Sequence, residues 1–272
     1  MIPRSYLFVP ANRPERIAKA LVSGADAVIV DLEDAVAPQT KDEARHALAA
    51  WLRTAGAGPQ VVVRVNGADT AWFTADLATC AAPAVRAVML PKAGQPGDVA
   101  AVHQALPGKS IIALIETAEG FDHMREIARA AGVERLAFGS IDFQLDLGMV
   151  GDGNGEELLC FRSRFVLESR LARLAPPIDG ITVAIDDAAL VMRDAQAARR
   201  LGFGAKLCIH PRQVEAVNCG FTPTATEIDW ARRVLNAARQ AADAAVAVDG
   251  RMVDRPVLMR AEALLRQAGM QA

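Results

Sequence analysis

Two carboxylates that each close an apolar run are the residues best placed to do chemistry. Ser110-Ile-Ile-Ala-Leu-Ile-Glu116 and Arg135-Leu-Ala-Phe-Gly-Ser-Ile-Asp142 flank a helical segment from about Ala118 to Ala131. A carboxylate at the end of an apolar strand is costly to desolvate unless something pairs with it. In a strand, helix, strand unit the two strands run parallel and their carboxyl ends finish on one side of the sheet. Glu116 and Asp142 are therefore expected to face one cation. With no His or Cys nearby, two oxygen ligands suit a hard ion such as Mg2+, which completes its shell with water and substrate. The structural alternative is that each acid caps a helix or pairs with a basic residue. Arg64 lies inside Val61-Val-Val-Arg-Val-Asn66, where its guanidinium must meet an anion, either a neighbouring carboxylate or a substrate's. Asp31-Leu-Glu33-Asp34 brings paired acids to the end of another apolar run. Glu33 and Asp34 are expected behind the site, orienting Arg64 or metal-bound water, or else capping the helix that begins near Pro38 to Asp42.

Eight short apolar runs must position these groups: Ser5 to Pro10, Ala27 to Glu33, Val61 to Asn66, Ala87 to Lys92, Ser110 to Glu116, Arg135 to Asp142, Gly180 to Ile185 and Ala205 to His210. Segments of helical spacing alternate with them, among them Pro14 to Ser23, Lys41 to Arg53, Ala71 to Ala81, Gly97 to Leu106, Glu156 to Leu174 and Asp187 to Leu201. The runs are apolar almost throughout, as strands covered on both faces should be. The pattern predicts an α/β fold, a (β/α)8 TIM barrel, over residues 1–222. An open doubly wound sheet is the runner-up, but Phe8-Val-Pro-Ala-Asn12 after the first strand has no glycine with which to approach a pyrophosphate. Barrel active sites sit at the carboxyl ends of the strands. Those ends carry Phe8, Glu33, Asp34, Arg64, Asn66, Lys92, Glu116, Asp142, Asp186, Asp187, Lys206 and His210. Lys92 and Lys206 are expected to balance charge, and His210 to order a loop. Residues 223–272 form a helical extension that packs on a neighbouring subunit, which implies a homo-oligomer, a trimer or a hexamer. Asp254, between its helices, is either the N-cap of the segment starting at Pro256 or an acid delivered by a lid.

Composition narrows the class. At 272 residues and 52% hydrophobic, the chain can bury a sizeable core. A net charge of −2, with basic residues spread along the chain, offers nucleic acid no stripe to bind. No run approaches the roughly 18 apolar residues of a membrane span, and the apolar N-terminal run is too short for a signal peptide, so a cytoplasmic protein is expected. Cys80, Cys160, Cys208 and Cys219 have no metal-ligand spacing.

Taken together, Arg4-Ser-Tyr-Leu-Phe-Val-Pro10, Val30-Asp-Leu-Glu-Asp-Ala-Val36, Val63-Arg-Val-Asn66, Leu90-Pro-Lys92, Ala113-Leu-Ile-Glu-Thr117, Gly204-Ala-Lys-Leu-Cys-Ile-His-Pro-Arg-Gln213 and Gly250-Arg-Met-Val-Asp-Arg-Pro256 resemble the citrate lyase β-subunit-like family of the HpcH/HpaI aldolase superfamily. The resemblance runs from Arg4 to about Leu265. It implies a Mg2+-dependent carbon–carbon lyase acting on 3-hydroxyacyl thioesters, related to malyl-CoA and citramalyl-CoA lyases. It also implies that Arg64 grips a 2-oxoacid, that Glu116 and Asp142 bind Mg2+, and that Phe8 lines the substrate site. Asp254 would act from the C-terminal lid of an adjacent subunit. Such relatives commonly read Gly-Ala-Glu-Asp at the sixth strand, where this chain has Gly139-Ser-Ile-Asp142. Since neighbouring strand residues face opposite ways, the acid replaced by Ile141 is expected to lie off the metal.

The expected reaction is cleavage or formation of a 3-hydroxyacyl-CoA such as citramalyl-CoA, malyl-CoA or a citryl thioester, giving acetyl-CoA and a 2-oxoacid. The rivals are a hydroxyacyl-CoA thioesterase or malate synthase-like condensing enzyme on the same site, and a non-catalytic scaffold or regulatory subunit.

Overall fold

The strands are short and largely apolar, and several carry or precede a charged residue at the carboxyl end. In the computed structural model, which describes residues 2–55, 60–151, 155–240 and 246–270, the strands are β1 (Ser5–Pro10), β2 (Ala27–Asp31), β3 (Val61–Arg64), β4 (Val85–Leu90), β5 (Ser110–Ile115), β6 (Val133–Phe138), β7 (Ile178–Asp179) and β8 (Ala205–Cys208). All are parallel and pair in chain order, with β8 closing on β1. The connections carry α1 (Pro14–Leu21), α2 (Lys41–Ala55), α3 (Phe73–Cys80), α4 (Pro96–Ala105), α5 (Ala118–Asp122), α6 (Met124–Arg129), α7 (Ser140–Asp146), α8 (Leu159–Leu171) and α9 (Ala188–Leu201), and α10 (Val214–Phe221) follows β8. Alternate strand residues such as Tyr6, Ile29, Val62, Met89, Ile112, Leu114, Ala137, Ile178 and Leu207 pack together as one buried cluster. The barrel is filled with side chains rather than hollow.

Three expectations are corrected. The helix expected over 118–131 is two short helices broken at His123. The sixth strand ends at Phe138, not Asp142, and the chain enters α7 at Ser140; Gly139 at the turn leaves room for Glu116, whose Oε2 would lie 2.4 Å from a Cβ there. The seventh strand is Ile178–Asp179, not Gly180 to Ile185. The carbonyls beyond it are taken by side chains: Lys206 Nζ donates to Gly180 O at 2.7 Å, and Gln213 Nε2 to Thr182 O at 2.7 Å and Ala184 O at 3.0 Å.

The chain divides into two units, Met1–Cys219 and Gly220–Ala272. The second holds α11 (Ala225–Gln240), an antiparallel pair β9 (Val246–Val248) and β10 (Arg251–Val253), and α12 (Arg255–Gln267). The hairpin is absent from the sequence-based expectation of a helical extension over 223–272, of which residues 241–245 and 271–272 lie outside the described residues. Asp249 and Gly250 at its tip both have positive φ, 52° and 72°, as a tight two-residue hairpin turn requires. Ala231 and Val234 pack on Ala261, Leu264 and Leu265. Among the described residues no helix is long and apolar enough to cross a membrane.

Arg135 plugs the barrel at the end opposite the strands' carboxyl termini. It is fully buried; its Nη1 donates to Pro3 O at 2.9 Å and to Tyr6 Oη at 3.2 Å, and its Nε donates to Pro176 O. These bonds tie the entries to β1 and β7 to the middle of the sheet. Arg135→Ala removes them and leaves a cavity, so it is expected to destabilise the barrel by about 3 kcal/mol, read as a lower urea midpoint at unchanged m-value.

Candidate active site

The register of β2 against β3 sets Asp31 directly beside Arg64. Their side chains meet as a fork, Arg64 Nε to Asp31 Oδ1 and Nη2 to Oδ2, both at 2.7 Å. The same two oxygens accept the backbone N–H groups of Glu33 and Ala35 at 2.9 and 3.0 Å, so Asp31 both pairs the guanidinium and shapes the loop after β2. Lys41, reaching in from the start of α2, donates to Leu32 O and Glu33 O, both at 2.8 Å. That loop then wraps Arg64. Glu33 Oε2 lies 3.0 Å and Asp34 Oδ2 3.5 Å from Nη1, while the Phe8 ring lies 4.7 Å from the guanidinium carbon, a stacking distance for a cation on an aromatic face. Burial alone would lower the Arg64 pKa, but Asp31, Glu33 and Asp34 outweigh it and hold the group firmly charged. The cap expected from Glu33 or Asp34 is not where they act; both face Arg64.

Glu33 also links β2 to β4, since its Oε1 pairs with Lys92 Nζ. Burial pushes the Glu33 carboxyl up despite Arg64 and Lys92. Lys92 has a φ of +47°, in the left-handed region that non-glycine residues rarely occupy. In that conformation its backbone N–H donates to Glu116 Oε1 at 2.8 Å. Lys92 therefore does more than balance charge: it orients the carboxyl that ends β5.

Glu116 is 1% exposed, and the Lys92 N–H is its hydrogen bond among the described residues. Burial, then the neighbouring charge of Glu33, pushes its carboxyl up to about 8, against the pull of Lys92 and Arg64. Gly139 leaves the space this side chain occupies. Asp142, expected at a strand end, sits instead in the first turn of α7. It and Glu116 still line one cavity of about 410 Å³ at the carboxyl ends of the strands, together with Phe8, Asp31, Asp34 and Arg64. Ile141 lines it too, because in a helical turn neighbouring side chains are about 100° apart rather than opposed. The strand alternation used to reason about position 141 therefore does not apply, since the residue lies in a helix.

Among the described residues no three His, Cys, Asp or Glu side chains gather to hold a metal unaided. The donor set nonetheless fits a hard cation. Glu116 is a buried carboxyl at a cavity wall whose hydrogen bond comes from a peptide and not from a charged side chain, and Asp142 borders the same space. A divalent ion between two carboxylates draws its remaining ligands from water and substrate.

The other strand-end groups serve the frame. Asn66 bonds Asp76 Oδ2 through its N–H at 3.0 Å and its Nδ2 at 2.6 Å. Lys206 bonds Asp179 Oδ2 at 3.1 Å, which Arg162 also grips. Asp187 caps α9. His210 accepts the Arg212 N–H at 3.2 Å, ordering the loop as expected. In the C-terminal unit, Asp254 is exposed and caps α12, its Oδ1 accepting the Val257 N–H at 3.1 Å. Sequence reasoning passed over Asp31 and Lys41. The first was detectable as the acid one residue inside the Leu-Glu-Asp run, in register with Arg64; the second carried no signal beyond a helix start.

Comparison with known proteins follows this geometry. The model of the family described as HpcH/HpaI aldolase/citrate lyase matches residues 4–211. A citrate lyase subunit beta-like protein of Mycobacterium tuberculosis is 40% identical over 97% of this chain and 95% of its own. A (3S)-malyl-CoA thioesterase of Cereibacter sphaeroides is 33% identical over 97% and 94%. The crystal structure of the M. tuberculosis protein CitE in complex with magnesium, acetoacetate and coenzyme A superimposes with a TM-score of 0.86 at 36% identity, covering 98% of each chain. With its closed barrel and its acid-ringed mouth, this chain belongs to the HpcH/HpaI aldolase/citrate lyase family.

Proposed function

We propose that the protein is a Mg2+-dependent carbon–carbon lyase that converts a 3-hydroxyacyl-CoA, such as citramalyl-CoA, malyl-CoA or a citryl thioester, into acetyl-CoA and a 2-oxoacid. The observation that carries this is the meeting of a buried, charge-starved carboxyl, Glu116, with a permanently charged Arg64 in one cavity. Relatives named for lyase and CoA-thioester chemistry, and one solved with magnesium, an oxoacid and coenzyme A, support it.

Glu116 and Asp142 would hold the ion, which when bound lowers the cost of negative charge on the substrate's hydroxyl and carboxylate oxygens. Arg64, kept rigid by the Asp31 fork, would meet the carboxylate end through Nη1, exchanging its contact with Glu33 or Asp34 for the substrate. Phe8 backs the guanidinium and keeps water from that side. In the cleavage direction the hydroxyl proton passes to water, the bond between the carbinol carbon and the thioester α-carbon breaks as the oxygen's electron pair forms the keto group, and the thioester enolate takes up a proton to become acetyl-CoA. Asp254, on the C-terminal unit of a neighbouring chain in an oligomer, would donate that proton; in condensation it would remove it from the methyl group.

A second reading is hydrolysis of the hydroxyacyl-CoA, favoured by the thioesterase relative. The two are separated by incubating protein, Mg2+ and (3S)-malyl-CoA or citramalyl-CoA. Acetyl-CoA with an equal amount of 2-oxoacid is expected; free thiol with hydroxy acid alone would overturn the lyase reading. Asp254→Asn keeps the helix cap, since Asn caps as well as Asp, and is expected to lower turnover by about 100-fold or more without weakening 2-oxoacid binding. The metal supplies the pH test. It binds ionised Glu116, whose carboxyl in the metal-free protein is pushed up to about 8. Apparent Mg2+ affinity should therefore rise about 10-fold per pH unit up to that pH and level off above it. Calorimetric titrations across pH check the slope, and Glu116→Gln should abolish it.

A further inference from the structure

The geometry points to an alkyl-bearing monocarboxylic 2-oxoacid, rather than a dicarboxylic one, as the acid half of the substrate, with Ile141 as the residue that decides between them. This rests on the lyase reading and narrows its substrate.

The cavity has two unlike sides. From β2, β3 and β5 it receives Asp31, Asp34, Arg64 and Glu116 beside the apolar Ala35 and Leu114; from β6 to β8 it receives Phe138, Ile141, Ile181, Leu207 and Ile209, continued by Phe8 and Pro10 of β1. On the second side the polar side chains are Ser140 and Asp142. Arg64 is the one Lys or Arg among the described lining residues; its Nε and Nη2 are committed to Asp31 and its Nη1 lies against Glu33 and Asp34, so it has no capacity for a second substrate carboxylate. Such a carboxylate, on the carbon chain beyond the keto group, would meet the aliphatic side, where no Lys or Arg of the described lining residues faces it and Asp142 repels it. An unpaired charge moved from water into such surroundings is strongly disfavoured. An alkyl group in the same place gains, because one methylene in an apolar pocket discriminates by roughly 10–200-fold.

Ile141 is where this balance is set. It is 46% exposed, and Ile209 beside the same cavity is 37% exposed. Branched aliphatic side chains at a cavity mouth shed water when an apolar ligand group covers them. Ile141 is the second residue of α7 and precedes Asp142, so it meets whatever a cation on Asp142 holds in place.

The test is calorimetric titration of the full-length protein in saturating Mg2+ with glyoxylate, pyruvate, 2-oxobutyrate and freshly dissolved oxaloacetate. Affinity should rise from glyoxylate to 2-oxobutyrate, with 2-oxobutyrate about 10-fold or more tighter than oxaloacetate. Ile141→Arg adds a cation at an exposed position and is expected to move that ratio about 10-fold or more toward oxaloacetate. Ile141→Ala should shrink the alkyl preference while oxaloacetate stays weak. A ratio within one variant cancels any general loss of binding. Oxaloacetate binding as well as 2-oxobutyrate in the unaltered protein, or a ratio unmoved by Ile141→Arg, overturns the inference. Failure of all four acids to bind would sink the lyase reading and this inference with it. The expected order in a protein that releases no acetyl-CoA would support the inference and sink the lyase reading alone.

Discussion

A guanidinium buried at the mouth of a parallel barrel is the constraint from which the site follows. Arg64 cannot shed its proton, so burial is tolerable only with carboxylates around it. Asp31 meets that need through the strand register, and by accepting two peptide N–H groups it fixes the loop that carries Glu33 and Asp34. Glu33 needs a second cation and finds Lys92; Lys92 bends into left-handed backbone and turns its N–H on Glu116. Each charge is thus placed by the one before it. The cluster holds five carboxylates, Asp31, Glu33, Asp34, Glu116 and Asp142, against three cations, Arg64, Lys41 and Lys92. Fully ionised it lacks two positive charges, the amount a divalent ion supplies, and Glu116 is pushed up to about 8 by its burial first and by the charge of Glu33 second.

The architecture was legible because parallel strands buried on both faces leave an unmistakable pattern, short apolar runs alternating with helical periodicity. The starts of β1, β2, β3, β5 and β8 were placed to the residue and those of β4, β6 and β7 two residues late; every end but that of β1 ran past. In Ser110-Glu116 and Ala27-Glu33 the acid lies just past the last ladder bond, and the error is a residue or two. In Arg135-Asp142 it is four residues, because Gly139 reads as one more small strand residue while its real role is to leave room for Glu116. That is a long-range packing fact no local pattern contains. The same overrun made Ile141 look as though it faced away from Asp142, when a helical turn brings both to the cavity.

Of the site itself, Glu116, Arg64, Phe8 and the Glu33-Asp34 pair could be named from residue type and position alone, since polar groups at the carboxyl ends of barrel strands have few other reasons to be there. Their pairing could not. Whether Arg64 meets a substrate or a neighbour depends on strand register, and the answer is that Asp31 takes two of its nitrogens and leaves Nη1 toward the loop acids. Lys41 was invisible because its partners are backbone carbonyls of a loop whose shape depends on Asp31. The hairpin before Asp254 was missed for a different reason: its strands are three residues each, shorter than any period that could announce them, and only the Asp-Gly pair at its tip hinted at a turn.

Three local costs converge on one cavity. Lys92 adopts a backbone conformation unfavourable for a side-chain-bearing residue, Glu116 is held where ionisation is penalised, and Ile141 is left open to water. Elsewhere in the barrel Asp179 has Arg162 and Lys206, and Glu168 has Arg125 and Arg164, while Arg135 has two carbonyls and a hydroxyl for Nε and Nη1 but no partner for Nη2 among the described residues. Left-handed backbone recurs at Arg173 and Asp249, so what sets the cavity apart is that its costs meet where a ligand can relieve them. On the proposed reading a cation would relieve Glu116 and an alkyl group would cover Ile141. The β6–β8 side of the cavity, which no catalytic motif singles out, then belongs to recognition as much as the acids do to chemistry.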